Sequence, residues 1–266
     1  MNMVMNMATT QGIHPSALID PDARIGQDVE IGPWAVIGPQ VTIGDGSRIA
    51  ARATLERNVR LGQRVQVGIG AVLGGDPQDL KYRGEETWVE IGDDTVIREY
   101  ATINRGTAHS VTTKVGRHCF IMSYVHLAHD CELADHVMIS NGTQLAGHVH
   151  VDDHAIISGL CAIHQFVRIG RHSFIGGASR VPQDVPPFVR AVGNPLKLFG
   201  LNSVGLQRSG FDENVLRELK RAYRFCFRSD LNLSQGVEQA RAEVELVPEV
   251  QQFLEFIEAS RRGVGF

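Results

Sequence analysis

An aliphatic residue recurs at every sixth position from Ile13 to Leu73, and the same frame resumes at Ile91, Ile97 and Ile103 and then runs from Val115 to Val181. A period of six fits neither a 3.6-residue helix nor the two-residue alternation of an ordinary strand. Four residues after the aliphatic comes a small or β-branched side chain, as at Ala35, Val41, Ser47, Ala53, Val125, Thr143, Ala155 and Ser173. Both positions are expected to face inward. Glycine often follows the aliphatic, as in Gly26, Gly32, Gly38, Gly44, Gly62 and Gly170, where the pattern predicts a tight corner with permissive backbone. Short strands joined by corners at a fixed period build a parallel β-helix whose coils bury one another's aliphatic layers.

The pattern aliphatic-Gly-x-x-small-x resembles that of the hexapeptide-repeat transferases, and this resemblance implies a left-handed helix with three hexads per triangular coil. Periodicity alone does not supply the hand. Two stretches interrupt the repeat without shifting its frame, GGDPQDLKYRGEETWVE after Leu73 and RGTAHSVTTK after Ile103. They are expected to project as loops, over about 74–90 and 105–114, where binding residues tend to sit on a rigid scaffold. The expected organisation is a β-helical domain over 13–185 and an α-helical C-terminal domain over 186–266 that caps the solenoid. After the irregular segment PPFVRAVGNPLKLFGLNSVGLQRSG, two helices are legible: FDENVLRELKRAYRFCFRS, acidic at its start and basic at its end, and PEVQQFLEFIEAS, opened by Pro248.

The net charge of −4 over 266 residues argues against non-specific nucleic-acid binding. The start, MNMVMNMATTQG, has no secretory-leader pattern and no later run has the length of a membrane span, so a cytoplasmic protein is expected. Cys119, Cys131 and Cys161 hold the small interior slot, and with Cys226 they form no CxxC pair. They are read as compact hydrophobes rather than zinc ligands or nucleophiles.

Six of the eleven histidines lie between Ser123 and His154. With eighteen residues per coil, His129, Gly147 and Gln165 share one column, Asp130 and His148 the next, and His126 the neighbouring outward position. These residues converge with a carboxylate, the usual arrangement for a general base. His118, His136, His150, His154 and His172 are expected at exposed variable slots as plain surface residues.

The strings GGDPQDLKYRGE, TINRGT, HLAHDC, LAGHVHVDDHAIISG, HQFVRIG and QDVPPFVRAVGNP are similar, in order, to those of the UDP-N-acetylglucosamine O-acyltransferase family, over nearly the whole chain. The resemblance implies transfer of an R-3-hydroxyacyl group from acyl carrier protein to the 3-hydroxyl of UDP-N-acetylglucosamine, without metal or cofactor, in a homotrimer with sites between subunits. It implies His129 as base with Asp130 as its orienting partner, and the Gly147 N–H as an oxyanion donor. It places Gln78, Lys81, His126, His148, His164 and Gln165 around the sugar nucleotide and Arg208 near the phosphates. Gly177, with Phe174 nearby, is expected at the far end of an acyl groove, where glycine admits a long chain. Asn104 and Ser209 depart from the family pattern and leave the pyrophosphate contacts open.

A basic stripe of Arg217, Lys220, Arg221, Arg224 and Arg228 is a candidate docking face for the acidic carrier protein. The rival readings are the sibling N-acyltransferase of the same pathway, a zinc-binding γ-class carbonic anhydrase with three histidine ligands, and a non-catalytic solenoid. The PQDLKY loop and helical tail favour the O-acyltransferase, and the spacing of HLAHD and AGH does not match the zinc pattern.

Overall fold

In the computed structural model, which describes residues 12–265, the hexads become short strands that visit three sheets in turn. Leu18–Ile19 lies in face I, Arg24–Ile25 in face II and Glu30–Ile31 in face III, and Val36–Ile37 returns to face I beside Leu18–Ile19. Among the described residues the three faces hold nine, eight and ten strands, wrapped as a triangular prism. The segment read above for its lack of a leader lies outside the described residues up to position 11, as does Phe266 at the end of the expected helical domain.

Pairing along the prism is parallel with an offset of eighteen, as in Glu30 with Arg48 and Met138 with Ile156. At the interruptions the offset grows. Arg60 pairs with Glu90 and Thr102 with His126, offsets of thirty and twenty-four. The excess is a whole number of hexads each time, so the inward set stays inward.

The aliphatic and small slots are both buried, from Ile37 and Ala35 to Ile157 and Ala155. Cys119, Cys131 and Cys161 are buried as expected, and desolvation pushes the Cys119 thiol up to about 11 and the Cys131 thiol up to about 12. Such thiols are inert at neutral pH.

The repeat glycines serve a different purpose from the one expected. Gly38 and Gly44 do not adopt positive φ; a Cβ on Gly38 would sit 1.6 Å from the Glu56 carbonyl oxygen of the next coil. The glycine permits close stacking. Positive φ falls two residues later, on non-glycine residues such as Asp28, Trp34, Gln40, Arg52 and Asp130.

The segment after Pro186 is more ordered than its sequence suggests. Val189–Val192 extends face III in parallel beside Phe174–Ile175, and Lys197–Leu201 turns back antiparallel. Four helices follow: α1 (Ser203–Arg208), α2 (Glu213–Phe227), α3 (Leu233–Glu243) and α4 (Pro248–Glu258). Asp212 caps α2, and Pro248 occupies the first turn of α4. Helix α3 was not legible because Gly236 interrupts its pattern; a Cβ there would lie 2.5 Å from the Phe225 carbonyl oxygen, so the glycine seats α3 against α2. Phe188 is fully buried in the core where this tail meets the solenoid. Among the described residues no helix is long and apolar enough to cross a membrane.

Candidate active site

Both projecting loops leave the prism at the same edge. Residues 76–87 connect the face I strand Val72–Gly75 to the face II strand Trp88–Ile91, and residues 105–111 connect Thr102–Asn104 to Thr112–Val115. The next three coils turn this I/II edge at His129–Asp130, Gly147–His148 and Gln165–Phe166. The edge therefore gathers the predicted cluster without further assumption.

Asp130 sits in the left-handed region with φ 61°, its N–H donating to Thr113 Oγ1 at 2.8 Å. Its side chain is fully buried, and Oδ2 accepts from His129 Nδ1 at 2.8 Å. Burial alone would raise this carboxyl, but hydrogen bonds from His129, Ser110 and Thr107 overcome it and hold Asp130 well below the usual carboxylate range. An ionised carboxylate only accepts, so His129 Nδ1 donates to it, and in the neutral ring Nε2 is the nitrogen left with a lone pair.

Gly147 lies against the His129 ring: a Cβ there would approach Cε1 to 2.6 Å and Nε2 to 2.8 Å. Among the described residues the Gly147 N–H has no hydrogen-bond partner. His148 Nδ1 is 3.6 Å from Asp130 Oδ2, and its ring stacks on Phe166 and meets His109 edge-on. Burial lowers the pKa of His148, with Asp130 opposing, and burial together with His129 lowers that of His126. His126 Nδ1 is fixed 2.7 Å from Thr102 Oγ1.

Two cavities flank the pair His129 and His148. One, of about 460 Å³, is lined by Gln78, His126, His129, Gly147 and Gln165 among others. The second, of about 310 Å³, is lined by Lys81, His148, Asp79, Tyr82, His109 and Phe166 among others. Asp79, Tyr82, Thr107, His109 and Ser110 escaped sequence reasoning because they lie in the aperiodic loops. Phe166 did not need to, since it stands eighteen residues after His148 in the column already counted. The loops are rooted by Arg105, a fully buried guanidinium that donates to the Gly74 carbonyl, Asp76 and the Tyr82 hydroxyl. Asn104 adds a 2.7 Å bond to the Asp76 carbonyl.

Other predicted residues lie elsewhere on the chain. His164 turns to Arg262 of the tail, 3.1 Å away. Arg208 and Phe174 line a separate cavity of about 680 Å³ with Arg190, Lys220 and Arg224. Gly177 lies exposed on the III/I edge, without positive φ, and a Cβ there meets nothing closer than the Gly159 carbonyl oxygen at 3.4 Å. Glycine is thus not required there by the backbone. His172 is buried, contrary to expectation, between His154, Phe188 and Phe211, and His150 is half-buried. The basic stripe of α2 is largely committed: Arg217 and Arg221 pair with the buried Glu218, and Arg228 donates to the Leu198 carbonyl.

His129, Asp130 and His148 approach one another closely enough to hold a cation. Asp130, however, already accepts from Thr107, Ser110 and His129, so both carboxylate oxygens are occupied. The site is built as a hydrogen-bonded dyad.

Residues 184–265 match the family model "Udp N-acetylglucosamine O-acyltransferase; Domain 2", and residues 13–57 and 112–147 match the bacterial transferase hexapeptide model. The acyl-[acyl-carrier-protein]–UDP-N-acetylglucosamine O-acyltransferase of Syntrophobacter fumaroxidans is 47% identical over 254 residues, covering 95% of this chain and 98% of its own. Solved structures of LpxA from Bacteroides fragilis and Acinetobacter baumannii superpose with TM-scores of 0.93 at 41% and 43% identity, covering 94% and 96% of this chain and 98% and 99% of theirs. The prism is accordingly a left-handed β-helix followed by a small helical part. With that likeness extending over both parts and nearly the full length, the chain belongs to the acyl-[acyl-carrier-protein]–UDP-N-acetylglucosamine O-acyltransferase family.

Proposed function

We propose that this chain transfers an R-3-hydroxyacyl group from acyl carrier protein to the 3-hydroxyl of UDP-N-acetylglucosamine, the first step of lipid A biosynthesis. One observation carries the mechanism: the ionised, buried Asp130 fixes His129 through Nδ1, and the ring lies against Gly147. His129 Nε2 takes the proton of the sugar hydroxyl as its oxygen attacks the thioester carbonyl. The oxyanion forms against the Gly147 N–H, a preorganised donor. Collapse expels the carrier's thiolate, which takes the proton back from the imidazolium. Gln78, Lys81, His126, His148 and Gln165 bind the sugar nucleotide in the two flanking cavities.

The working unit is a homotrimer, in keeping with a cytoplasmic enzyme that uses a carrier protein and a sugar nucleotide. What supports it is the III/I edge, where Trp34, Tyr100, Tyr124 and Leu160 are exposed in the left-handed conformation. Bulky side chains rarely adopt that conformation, and here they stay largely exposed on their own chain even where Tyr100 stacks on Tyr124. Gly177 lies on this edge, so a neighbouring copy laid against the I/II edge brings it to the dyad, with Arg208 and His164 at the rim of the joint site.

The test is mass spectrometry of the product from UDP-N-acetylglucosamine and a mixture of 3-hydroxyacyl carrier-protein thioesters. A mono-ester on the sugar is expected. Absence of an ester, or acylation only of a free amino sugar, would overturn the reading and favour the sibling N-acyltransferase.

A further inference from the structure

The 105–111 loop does more than wall one cavity. Its Thr107 N–H donates to Asp130 Oδ1 at 2.9 Å and its hydroxyl to Oδ2 at 2.7 Å. The Ser110 hydroxyl makes a short bond to Oδ1, and its N–H a longer one at 3.3 Å. The carboxylate is therefore gripped on both oxygens by the loop, while Oδ2 also accepts from His129 Nδ1 at 2.8 Å and has His148 Nδ1 farther off at 3.6 Å. We propose that Thr107 and Ser110 are positioning residues, a clasp that locks the rotation of the Asp130 carboxylate and shares its charge, so that His129 is both held in one orientation and able to release the proton it takes.

Without the clasp the carboxylate would turn about its terminal torsion, which is broad and soft. It would also lean its undivided charge on the imidazolium. Donors that share a carboxylate's charge weaken its hold on any single partner, and for a group that must accept a proton and then surrender it to a leaving thiolate, too tight a hold is as harmful as too loose a one. The charged and titratable groups around the dyad are His109 from the same loop, His126 from face I, His148 from the next coil, and Asp79, Lys81, Tyr82 and Glu85 from the first loop.

Ser110 is exposed at the loop surface, so Ser110→Ala is expected to fold. This inference rests on the acyl-transfer reading for its kinetic arm alone. In that arm Ser110→Ala lowers kcat about tenfold with the KM for UDP-N-acetylglucosamine little changed, and the acid limb of the pH–rate profile moves to higher pH. Thr107→Val has the same effect and Thr107→Ser restores most of the rate. The spectroscopic arm needs no turnover: NMR of the His129 ring in Ser110→Ala shows its titration midpoint moved to higher pH. In an Asp130→Ala background, Ser110→Ala moves the His129 midpoint no further. An unmoved midpoint in the single variant, or the same shift with Asp130 removed, overturns the clasp even if acyl transfer is demonstrated. A shifted midpoint in an enzyme that transfers no acyl group would leave the clasp standing and reject the reaction.

Discussion

Histidine and aspartate are common on the edges of this prism partly for a backbone reason. Each turn needs one residue at positive φ, and His118, His136, His148, His154 and His172, like Asp130, fill that place. Histidine and aspartate tolerate the left-handed conformation better than most side chains, so their presence there is no sign of chemistry. What separates His129 is that it lies off this position, against Gly147, with a buried carboxylate at Nδ1. His129→Ala should leave the fold intact and lower turnover by about two orders of magnitude or more, the contribution expected of a general base. Gly147→Ala should cost a comparable amount with His129 still present, because the new methyl would lie 2.6 Å from the ring and displace it from the N–H. Steady-state kinetics on both variants decide the matter, and near-normal kcat in a folded Gly147→Ala protein would remove Gly147 from the site.

The II/III edge carries a column of stacked imidazoles, His118, His136, His154 and His172, with ring centroids 4.6–4.9 Å apart, continued by Phe188. Three of these rings are exposed and His172 is sealed under Phe188 and Phe211, where the tail meets the prism. Burial, with His154 and Arg171 adding repulsion and Asp153 opposing, lowers its pKa to about 4. The unfolded chain takes up this proton near pH 6.5 and the native protein does so only near pH 4, so stability falls as pH drops between the two and is unaffected above them. The loss from this one ring is on the order of 3 kcal/mol. Denaturant midpoints measured from pH 7.5 to 4.5 should fall less steeply for His172→Phe than for the parent, the phenyl ring extending the stack that Phe188 continues. Equal slopes would show that His172 is not the group responsible. The same packing on the buried Glu218 explains why the α2 stripe is not a free docking face. Lys220, Arg224 and Arg228 of the stripe line the cavity shared with Arg190 and Arg208, and since Arg228 is committed to the Leu198 carbonyl, Lys220 and Arg224 are the two charges to test. Reversing those two charges should raise the KM for the carrier protein and weaken its salt dependence, with the sugar nucleotide's KM unchanged; carrier kinetics indifferent to both reversals would move docking to another face.

One chain presents His129 and Asp130 on the I/II edge and Gly177 on the III/I edge, and assembly is what would join them in the proposed trimer. Gly177 has room for a side chain and no backbone need for glycine, which suits the groove proposed for it. Gly177→Met should therefore shift the preferred donor to a shorter 3-hydroxyacyl chain while the preference for the sugar acceptor stays. Each buried methylene is worth about 0.8 kcal/mol, so a two-carbon mismatch changes selectivity by about an order of magnitude. Competition between carrier thioesters of different length measures this. An unchanged length profile in an active Gly177→Met enzyme would place the stop elsewhere, with Phe174 next.

The prism, its inward set and much of its site were legible in the sequence because coil pairing is a lattice with a constant offset. Once a coil is eighteen residues, His129, Gly147 and Gln165 must be neighbours, and so must His148 and Phe166. Insertions of whole hexads leave that arithmetic intact. The loops and the helical tail have no such period. Which atoms hold Asp130, what roots the loops at Arg105, why His172 is buried and why Arg221 is committed to Glu218 depend on segments far apart in the chain meeting in space. Those contacts are set by packing, which no local pattern encodes, and only the folded molecule decided them.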